Sequence, residues 1–320
     1  MDHMRVSIVI PCHNVQDHLP KALDAALGQD HPDLEIVCVD DGSTDGTAQV
    51  LADRAARFPG KLRVITQANK GASSARNAGA AATSGEYLQF LDADDVILPG
   101  KISAQLHLAR SMGNPDLVVG DYEQVMPNGL LLPALALYDQ PWMALIQTRM
   151  GTTSANLWKR GPLLGVGGWN EELASSQDYD LMFRLLKRGI TVAWDPHIRT
   201  HVLKRLVGSI SRTGVQANWD RYIALRHAIK EYLYAKDPDR YAEEIETLRQ
   251  YIFMALRIVA AEDLPKAIAA HERSIGRGFR PQVGRAITER YAALYNLLGF
   301  ATTERIMRLV KGRRPLHSQQ

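Results

Sequence analysis

Apolar residues in the first hundred positions fall into short runs, each closed by polar or turn-forming residues. Val6-Ser7-Ile8-Val9-Ile10, Glu35-Ile36-Val37-Cys38-Val39, Leu62 to Thr66 and Tyr87-Leu88-Gln89-Phe90-Leu91 have the length and residue types of buried strands. The first is expected to stop at Pro11. Helical spacing fills the intervals, over Leu19 to Leu27, Thr44 to Arg57 and Ala72 to Ala82, with Ser43 or Thr44 as N-cap of the second helix. This alternation predicts an α/β fold, a mostly parallel sheet with helices on both faces. After Pro99 the pattern loosens. Leu117-Val118-Val119-Gly120 and Thr191-Val192-Ala193-Trp194 read as further strands, and Asp180 to Leu186 as a helix ending near Gly189. From about Val215 the chain reads as several helices: Tyr222, Leu225, Ile229 and Tyr232 share one face, as do Ile245, Leu248, Ile252 and Leu256. The expected organisation is an α/β domain over residues 1–214 and an α-helical region over 215–320.

Composition narrows the class only slightly. The 320 residues are 46% hydrophobic and 23% charged, ordinary for a globular chain, and the formal net charge of +3 gives no argument for nucleic acid. Cys12 and Cys38 sit inside strand-like runs and read as buried, reduced thiols. With no 18-residue apolar stretch and no signal-peptide core, the expectation is a cytoplasmic protein. At the C-terminus Leu294, Leu297, Leu298, Phe300 and Ile306 alternate with Arg305, Arg308, Lys311, Arg313 and Arg314. The simplest reading is a core-packing helix with a solvated basic tail. The same pattern suits peripheral contact with the inner face of an anionic membrane, or a homodimer interface.

The chemistry concentrates where strands end. Asp92-Ala93-Asp94-Asp95 follows the fourth strand, and open α/β sheets bind ligands outside the carboxyl ends of their strands. Three carboxylates within four residues repel one another, and a hard cation such as Mg²⁺ or Mn²⁺ neutralises them through oxygen ligands. Asp40-Asp41-Gly42-Ser43-Thr44-Asp45-Gly46-Thr47 ends the second strand, where a carboxylate can accept the imide N–H of a uracil-type base. Asn69-Lys70-Gly71-Ala72-Ser73-Ser74-Ala75-Arg76-Asn77 leads into a helix whose free N–H groups, with the Arg76 fork, favour an anion. Acidic loops flanking a cationic helix start describe a site for a nucleoside diphosphate. No P-loop and no dinucleotide fingerprint are present, so ATP hydrolysis and hydride transfer lack support.

Taken in order, Ser7-Ile8-Val9-Ile10-Pro11-Cys12-His13-Asn14 and the three loops above resemble the motifs of family 2 glycosyltransferases with the GT-A fold, over about residues 5 to 212. The resemblance implies inverting transfer of a sugar from a nucleotide-sugar donor, usually UDP-linked, with a divalent cation (Mn²⁺ or Mg²⁺), onto a glycan or lipid-linked acceptor in assembly of a surface polysaccharide. It places Pro11, His13 and Asn14 beside the nucleoside, Asp41 on the base, Arg76 near the ribose or diphosphate, and Asp92, Ala93 and Asp94 at donor and metal, with Asp95 sharing the metal role. Gly167-Gly168-Trp169-Asn170-Glu171-Glu172-Leu173 and Ser176-Gln177-Asp178-Tyr179-Asp180-Leu181 continue the pattern. There Asp178 matches the catalytic base, with Trp169 and Gln177 towards the acceptor, and Gly151 to Trp158 lies between donor motif and base.

Two departures stand out. Gln177 occupies a position where the family usually has Glu, and Leu206, in Lys204-Arg205-Leu206-Val207-Gly208-Ser209-Ile210-Ser211, stands where a His is common. His201, Lys204 or Arg205 would then cover the phosphates, with His201 a further metal candidate. The rival readings are the same reaction with a dTDP- or GDP-linked donor, and a non-catalytic nucleotide-sugar-binding module whose helices recruit partners.

Overall fold

The computed structural model describes residues 4–205, 215–284 and 286–311. The chain divides into two compact units, Met1–Arg212 and Thr213–Gln320. In the first unit β1 (Val6–Cys12), α1 (Leu19–Leu27), β2 (Leu34–Asp41), α2 (Thr47–Arg57), β3 (Leu62–Gln67), α3 (Ala72–Ala81) and β4 (Tyr87–Phe90) alternate as the hydrophobic pattern predicts. They are followed by β5 (Val96–Ile97), α4 (Lys101–Ser111), β6 (Leu117–Val125), β7 (Leu131–Ala134), α5 (Pro141–Ile146), β8 (Leu157–Lys159), α6 (Arg160–Gly165), α7 (Gln177–Lys187) and β9 (Val192–Leu203). Among the described residues these strands form one nine-stranded sheet in the order β3-β2-β1-β4-β8-β6-β9-β5, with β7 paired to β6.

The half that runs β3-β2-β1-β4 is parallel throughout. Beyond it β8 runs antiparallel to both β4 and β6, while β6 and β9 are parallel. The main core lies between this sheet and α1 and α4, built from Ile8, Ile10, Leu23, Ile36, Leu91, Ile102 and Leu106, all nearly inaccessible.

Three local outcomes differ from the pattern. Strand β1 continues through Pro11 rather than stopping there, because β4 leaves the ladder after Val9 while β2 still pairs up to Cys12. On that flank the missing proline N–H costs no sheet hydrogen bond. Helix α2 begins at Thr47 behind Gly46, not at Ser43 or Thr44; Asp45 Oδ1 instead accepts the Thr47 N–H at 3.0 Å. Helix α3 lies close on the sheet because Gly79 has no Cβ: one placed there would meet a Val9 methyl at 2.3 Å.

The second unit is helical: α8 (Val215–Lys236), α9 (Ala242–Glu262), α10 (Leu264–Ser274) and α11 (Glu289–Lys311), the last broken at Gly299 with φ of 74°. Its core gathers around Phe253, whose ring centroid lies 5.1 Å from those of Phe279 and Tyr295 and 5.8 Å from that of Phe300. The expected core-packing face of the last helix holds only in part. Phe300 is buried, but Leu297 is 80% and Leu309 84% exposed, because the Gly299 break rotates the two segments away from a single stripe. Arg313 and Arg314 lie outside the described residues. No helix among the described residues is long and apolar enough to cross a membrane.

Candidate donor and base site

Four loops meet at the carboxyl end of the parallel half of the sheet. The loop after β1 is tied to the one after β2: Asn14, at φ 51°, accepts the Thr44 N–H at 2.8 Å and donates its own N–H to Ser43 Oγ at 3.2 Å. His13 Nδ1 lies 2.9 Å from the Asp41 carbonyl, which can only accept. The ring is therefore protonated at Nδ1 and its Nε2 accepts, 3.1 Å from the Asn69 amide nitrogen. Pro11 is half-buried.

Asp41 is buried, and its carboxylate is largely committed to protein. Oδ1 accepts from Gln67 Nε2 and Lys70 N–H, both at 2.8 Å, and Oδ2 accepts the Gly71 N–H at 2.7 Å. Three of about four acceptor sites are filled, so Asp41 shapes the Gln67–Gly71 loop and retains at most one site for a base.

The acidic turn is held by two guanidinium groups. Arg76, buried on α3, donates from Nη2 to Asp92 Oδ1 at 2.6 Å, and Arg205 donates from Nε to Asp94 Oδ2 at 2.6 Å. Burial raises the Asp94 carboxyl above the ordinary range and repulsion from Asp92 adds to this, while Arg205 opposes both. The other oxygen of Asp92 and of Asp94 takes no hydrogen bond among the described residues. A pair of hard, mutually repelling oxygen donors, each with a free oxygen, fits a divalent cation that completes its shell with ligand phosphates and water. No group of three or more His, Cys, Asp or Glu side chains is arranged to hold an ion alone among the described residues.

Three expected donor or metal residues are placed differently. Ala93 is 4% exposed and belongs to the core, so its side chain cannot face a ligand. Asp95 is buried with both oxygens engaged: Ser154 Oγ–H donates to Oδ2 at 2.6 Å and the Leu203 N–H to Oδ1 at 3.1 Å. It ties the end of β9 to the acidic turn, and each of its oxygens already accepts a hydrogen bond from protein. His201 points to Glu123, Nε2 to Oε2 at 3.3 Å, across the β6–β9 ladder, instead of joining Asp92 and Asp94. Lys204 is exposed, its backbone bonded to the Val125 carbonyl at 2.9 Å. Leu206 and the segment after it lie outside the described residues.

The base motif arrives on α7. Asp178 is half-buried in the first turn, and its Oδ1 accepts the Tyr179 N–H at 3.0 Å. Loss of hydration raises its carboxyl above the ordinary range, against the pull of that N–H and of Arg76, and Asp92 pushes it further up. Gln177 does not project freely towards an acceptor. Its Oε1 accepts from Arg76 Nη1 at 3.0 Å and its Nε2 donates to the Leu173 carbonyl at 2.7 Å. Trp169 is 1% exposed, with its ring 4.6 Å below the Arg76 guanidinium and 5.1 Å from Phe90. It supports Arg76 from beneath and offers no face to a ligand.

Two residues that the motifs contain or adjoin acquire roles only in three dimensions. Asn77 accepts the Trp169 N–H and donates to its carbonyl, both at 2.8 Å, fastening the base segment to α3. Ser154, fully buried, accepts the Asp92 N–H at 3.1 Å while donating to Asp95. Behind it Gln89 Nε2 donates to the Ser154 carbonyl at 2.8 Å, and the buried Lys101 Nζ donates to Gln89 and Gln105. Asparagine and serine are too common in loops to announce such contacts by spacing.

The half-parallel sheet with an acidic turn after its fourth strand defines a GT-A domain. Residues 7–154 match the model of glycosyl transferase family 2, so the chain carries a domain of that family over this segment. Chondroitin synthase of Escherichia coli is 30% identical over 190 residues, 58% of this chain and 27% of that protein. Among solved structures, S. aureus TarS 1–349 in complex with UDP matches with a TM-score of 0.65 at 18% identity, covering 96% of this chain and 92% of that one. The mannosyltransferase PcManGT from Pyrobaculum calidifontis in complex with GDP-Man and Mn²⁺ matches with a TM-score of 0.54 at 18% identity, covering 96% and 88%. The chain spans about a third of the length of the curated relatives it matches.

Proposed function

We propose that this protein transfers a sugar from a UDP-sugar to an acceptor hydroxyl with inversion, in assembly of a polysaccharide or glycoconjugate. The observation that carries the reading is the Arg76 guanidinium. It holds Asp92 of the acidic turn and Gln177 beside Asp178 at the same time, residues 16 and 101 positions away. One guanidinium ties the acidic turn to the segment that carries Asp178, which supports a donor site and a base held close together, the arrangement a displacement at an anomeric carbon requires.

In the reaction Asp178 takes the proton of the acceptor hydroxyl as its oxygen attacks the anomeric carbon from the face opposite the diphosphate. The new glycosidic C–O bond forms as the bond to the diphosphate oxygen breaks. Asp92 and Asp94 would hold the divalent cation, which supplies charge neutralisation to the leaving diphosphate. Arg76, Arg205 and Lys204 add fixed or mobile positive charge around it. Gln177 sharpens this: a neutral amide leaves Asp92 as the carboxylate balancing Arg76, so more of the guanidinium charge stays available to the donor. The UDP in the structure of TarS and the likeness to a chondroitin synthase support the choice of donor and product class.

The test is transfer by Asp178→Asn. The variant keeps the local N–H contact and the shape of the site while removing the base, so transfer is expected to fall about 10²- to 10⁴-fold. UDP affinity should stay within twofold. Transfer at the wild-type rate would refute the assignment of the base.

A further inference from the structure

A cleft of about 500 Å³ lies within the helical unit, lined by α8, α9 and α10, and no residue of the donor site borders it. Asp220, Ile223, Ala224 and His227, spaced three and four apart on α8, form one wall. Lys266, Ala270 and Arg273 line it from α10 with the same helical spacing. From Asp220 to His227 is about 10 Å of helix, long enough to hold an extended octyl chain. The alanines leave the space open, and the buried Ile223, Leu256 and Val259 supply its apolar lining.

The two ends of the cleft differ. At one end Lys266 Nζ donates to Asp220 Oδ2 at 2.5 Å, so the lining carboxylate is neutralised. At the other, Lys230 Nζ donates to the Ser274 carbonyl at 2.7 Å. Both bonds join α8 to α10 and fix the walls. Around Ser274, however, polar atoms are unspent. Ser274 is fully buried and its hydroxyl has no hydrogen-bond partner among the described residues. The His227 Nδ1 is buried and takes no hydrogen bond either; the Glu231 carboxylate stands 3.8 Å away and is engaged at 3.1 Å by Lys230. Arg273 lies on the exposed rim, and no carboxylate pairs with it among the described residues. Burial holds the imidazole below its ordinary range, Lys230 and Arg273 press the same way, and Glu231 opposes them. The ring is therefore neutral at neutral pH, and with Lys230 balanced by Glu231 the uncompensated charge at this end is that of Arg273.

A buried hydroxyl without a partner is destabilising unless a ligand meets it. An apolar trough between helices that ends in a hydroxyl, a neutral imidazole and one guanidinium matches an apolar chain with a single negative charge. A carboxylate suits it, because its two oxygens accept from the arginine fork and from the hydroxyl together.

We propose that this cleft binds a small apolar carboxylic acid as its anion, the chain along Ile223, Leu256 and Val259 and the carboxylate against Arg273, Ser274 and His227. The site involves neither Asp178 nor UDP, and its test needs no turnover.

The test titrates the full chain calorimetrically with octanoate and phenylbutyrate, with the matching alcohols octanol and phenylbutanol, and with octylamine. At least one carboxylate should bind saturably, tenfold or more tighter than its alcohol and than the amine. Arg273→Gln, on the exposed rim, should bring that carboxylate to the level of its alcohol. Ala270→Leu, which fills the trough, should remove binding of both. Ser274→Ala should weaken the carboxylate about threefold and leave the unfolding midpoint unchanged or higher, because the hydroxyl has no partner to lose in the free protein. Equal binding of each acid and its alcohol, tighter binding of the amine, or carboxylate binding that survives both Arg273→Gln and Ala270→Leu would each overturn the proposal. So would the absence of saturable binding by either acid. A lower midpoint in Ser274→Ala with carboxylate binding intact would also overturn it, since the hydroxyl would then serve the fold. So would a dimer, detected by light scattering, that Ala270→Leu dissociates, since the cleft would then hold a second copy.

Discussion

The loops that follow β1 to β4 and the wall formed by β6, β7 and α7 distribute their hydrogen bonds in opposite ways. On the first side most carboxylates are held by protein donors: Asp41 takes three N–H groups, Asp92 and Asp94 each take a guanidinium on one oxygen, and each oxygen of Asp95 accepts one hydrogen bond. On the second side the Asp178 carboxylate accepts the N–H of the next residue, and the neighbouring cleft, between the β6–β7 hairpin and α7, is lined in part by amides and phenols. The difference separates two tasks. A nucleoside diphosphate is a fixed, highly charged shape that rewards preorganised partners. A base must keep a lone pair ready, in surroundings that raise its proton affinity.

The sharpest way to break this contrast is to remove the one side chain that spans both sides. Arg76→Ala leaves Asp92 without its guanidinium and frees Gln177, so transfer should fall about 10²- to 10³-fold, the range for loss of a preorganised charged donor. The account requires kcat to fall together with donor affinity. A loss confined to acceptor KM would show that Arg76 serves the acceptor side alone.

A smaller effect is expected one layer back. Ser154→Ala strips a hydroxyl that bridges the Asp92 N–H and the Asp95 carboxylate, leaving buried groups unpaired at a cost of about 1–3 kcal/mol. Because the acidic turn then loosens, Mn²⁺-dependent UDP affinity should drop roughly tenfold, the equivalent of 1.4 kcal/mol. Ser154→Thr, which keeps the hydroxyl, should restore it. Equal loss in alanine and threonine variants would mean that packing, not the hydroxyl, matters at this position.

A further effect concerns stability rather than transfer. Burial holds the Lys101 amine down at about 7. Between pH 7 and about 10 the unfolded chain therefore binds a proton that the folded chain lacks, and stability rises with pH through that window. From pH 7 to 9 the wild type should gain roughly 2 kcal/mol relative to Lys101→Met, measured by denaturant unfolding of both proteins at each pH. A gap that does not change with pH would show that Lys101 stays protonated in the fold.

Legibility followed the same division. Donor-side residues sit in unbroken motifs after strands, where backbone geometry leaves the chain few choices, and the order β1 to β4 with α1 to α3 was readable from alternating hydrophobicity. What the motifs hid was the direction of each side chain. Ala93 turned to the core, Asp95 was used by Ser154 and Leu203, and Trp169 lay beneath Arg76, because a four-residue turn specifies neighbours in sequence but not which face is inward. The wall formed by β6, β7 and α7 was illegible for another reason. Tyr122, Gln124, Gln147, Arg149 and Tyr179 come from separate elements, and the antiparallel insertion of β8 that helps bring them together leaves only a three-residue strand in the sequence.

The most direct test of the central claim, that Asp92 and Asp94 with a divalent cation form a preorganised donor site, is calorimetric titration of UDP with Mn²⁺ and again with a chelator. UDP should bind with Mn²⁺ and lose at least tenfold, about 1.4 kcal/mol, when the metal is removed. Asp94→Asn should abolish that metal dependence. UDP affinity that is the same with metal and with chelator, or no binding under either condition, would contradict the account.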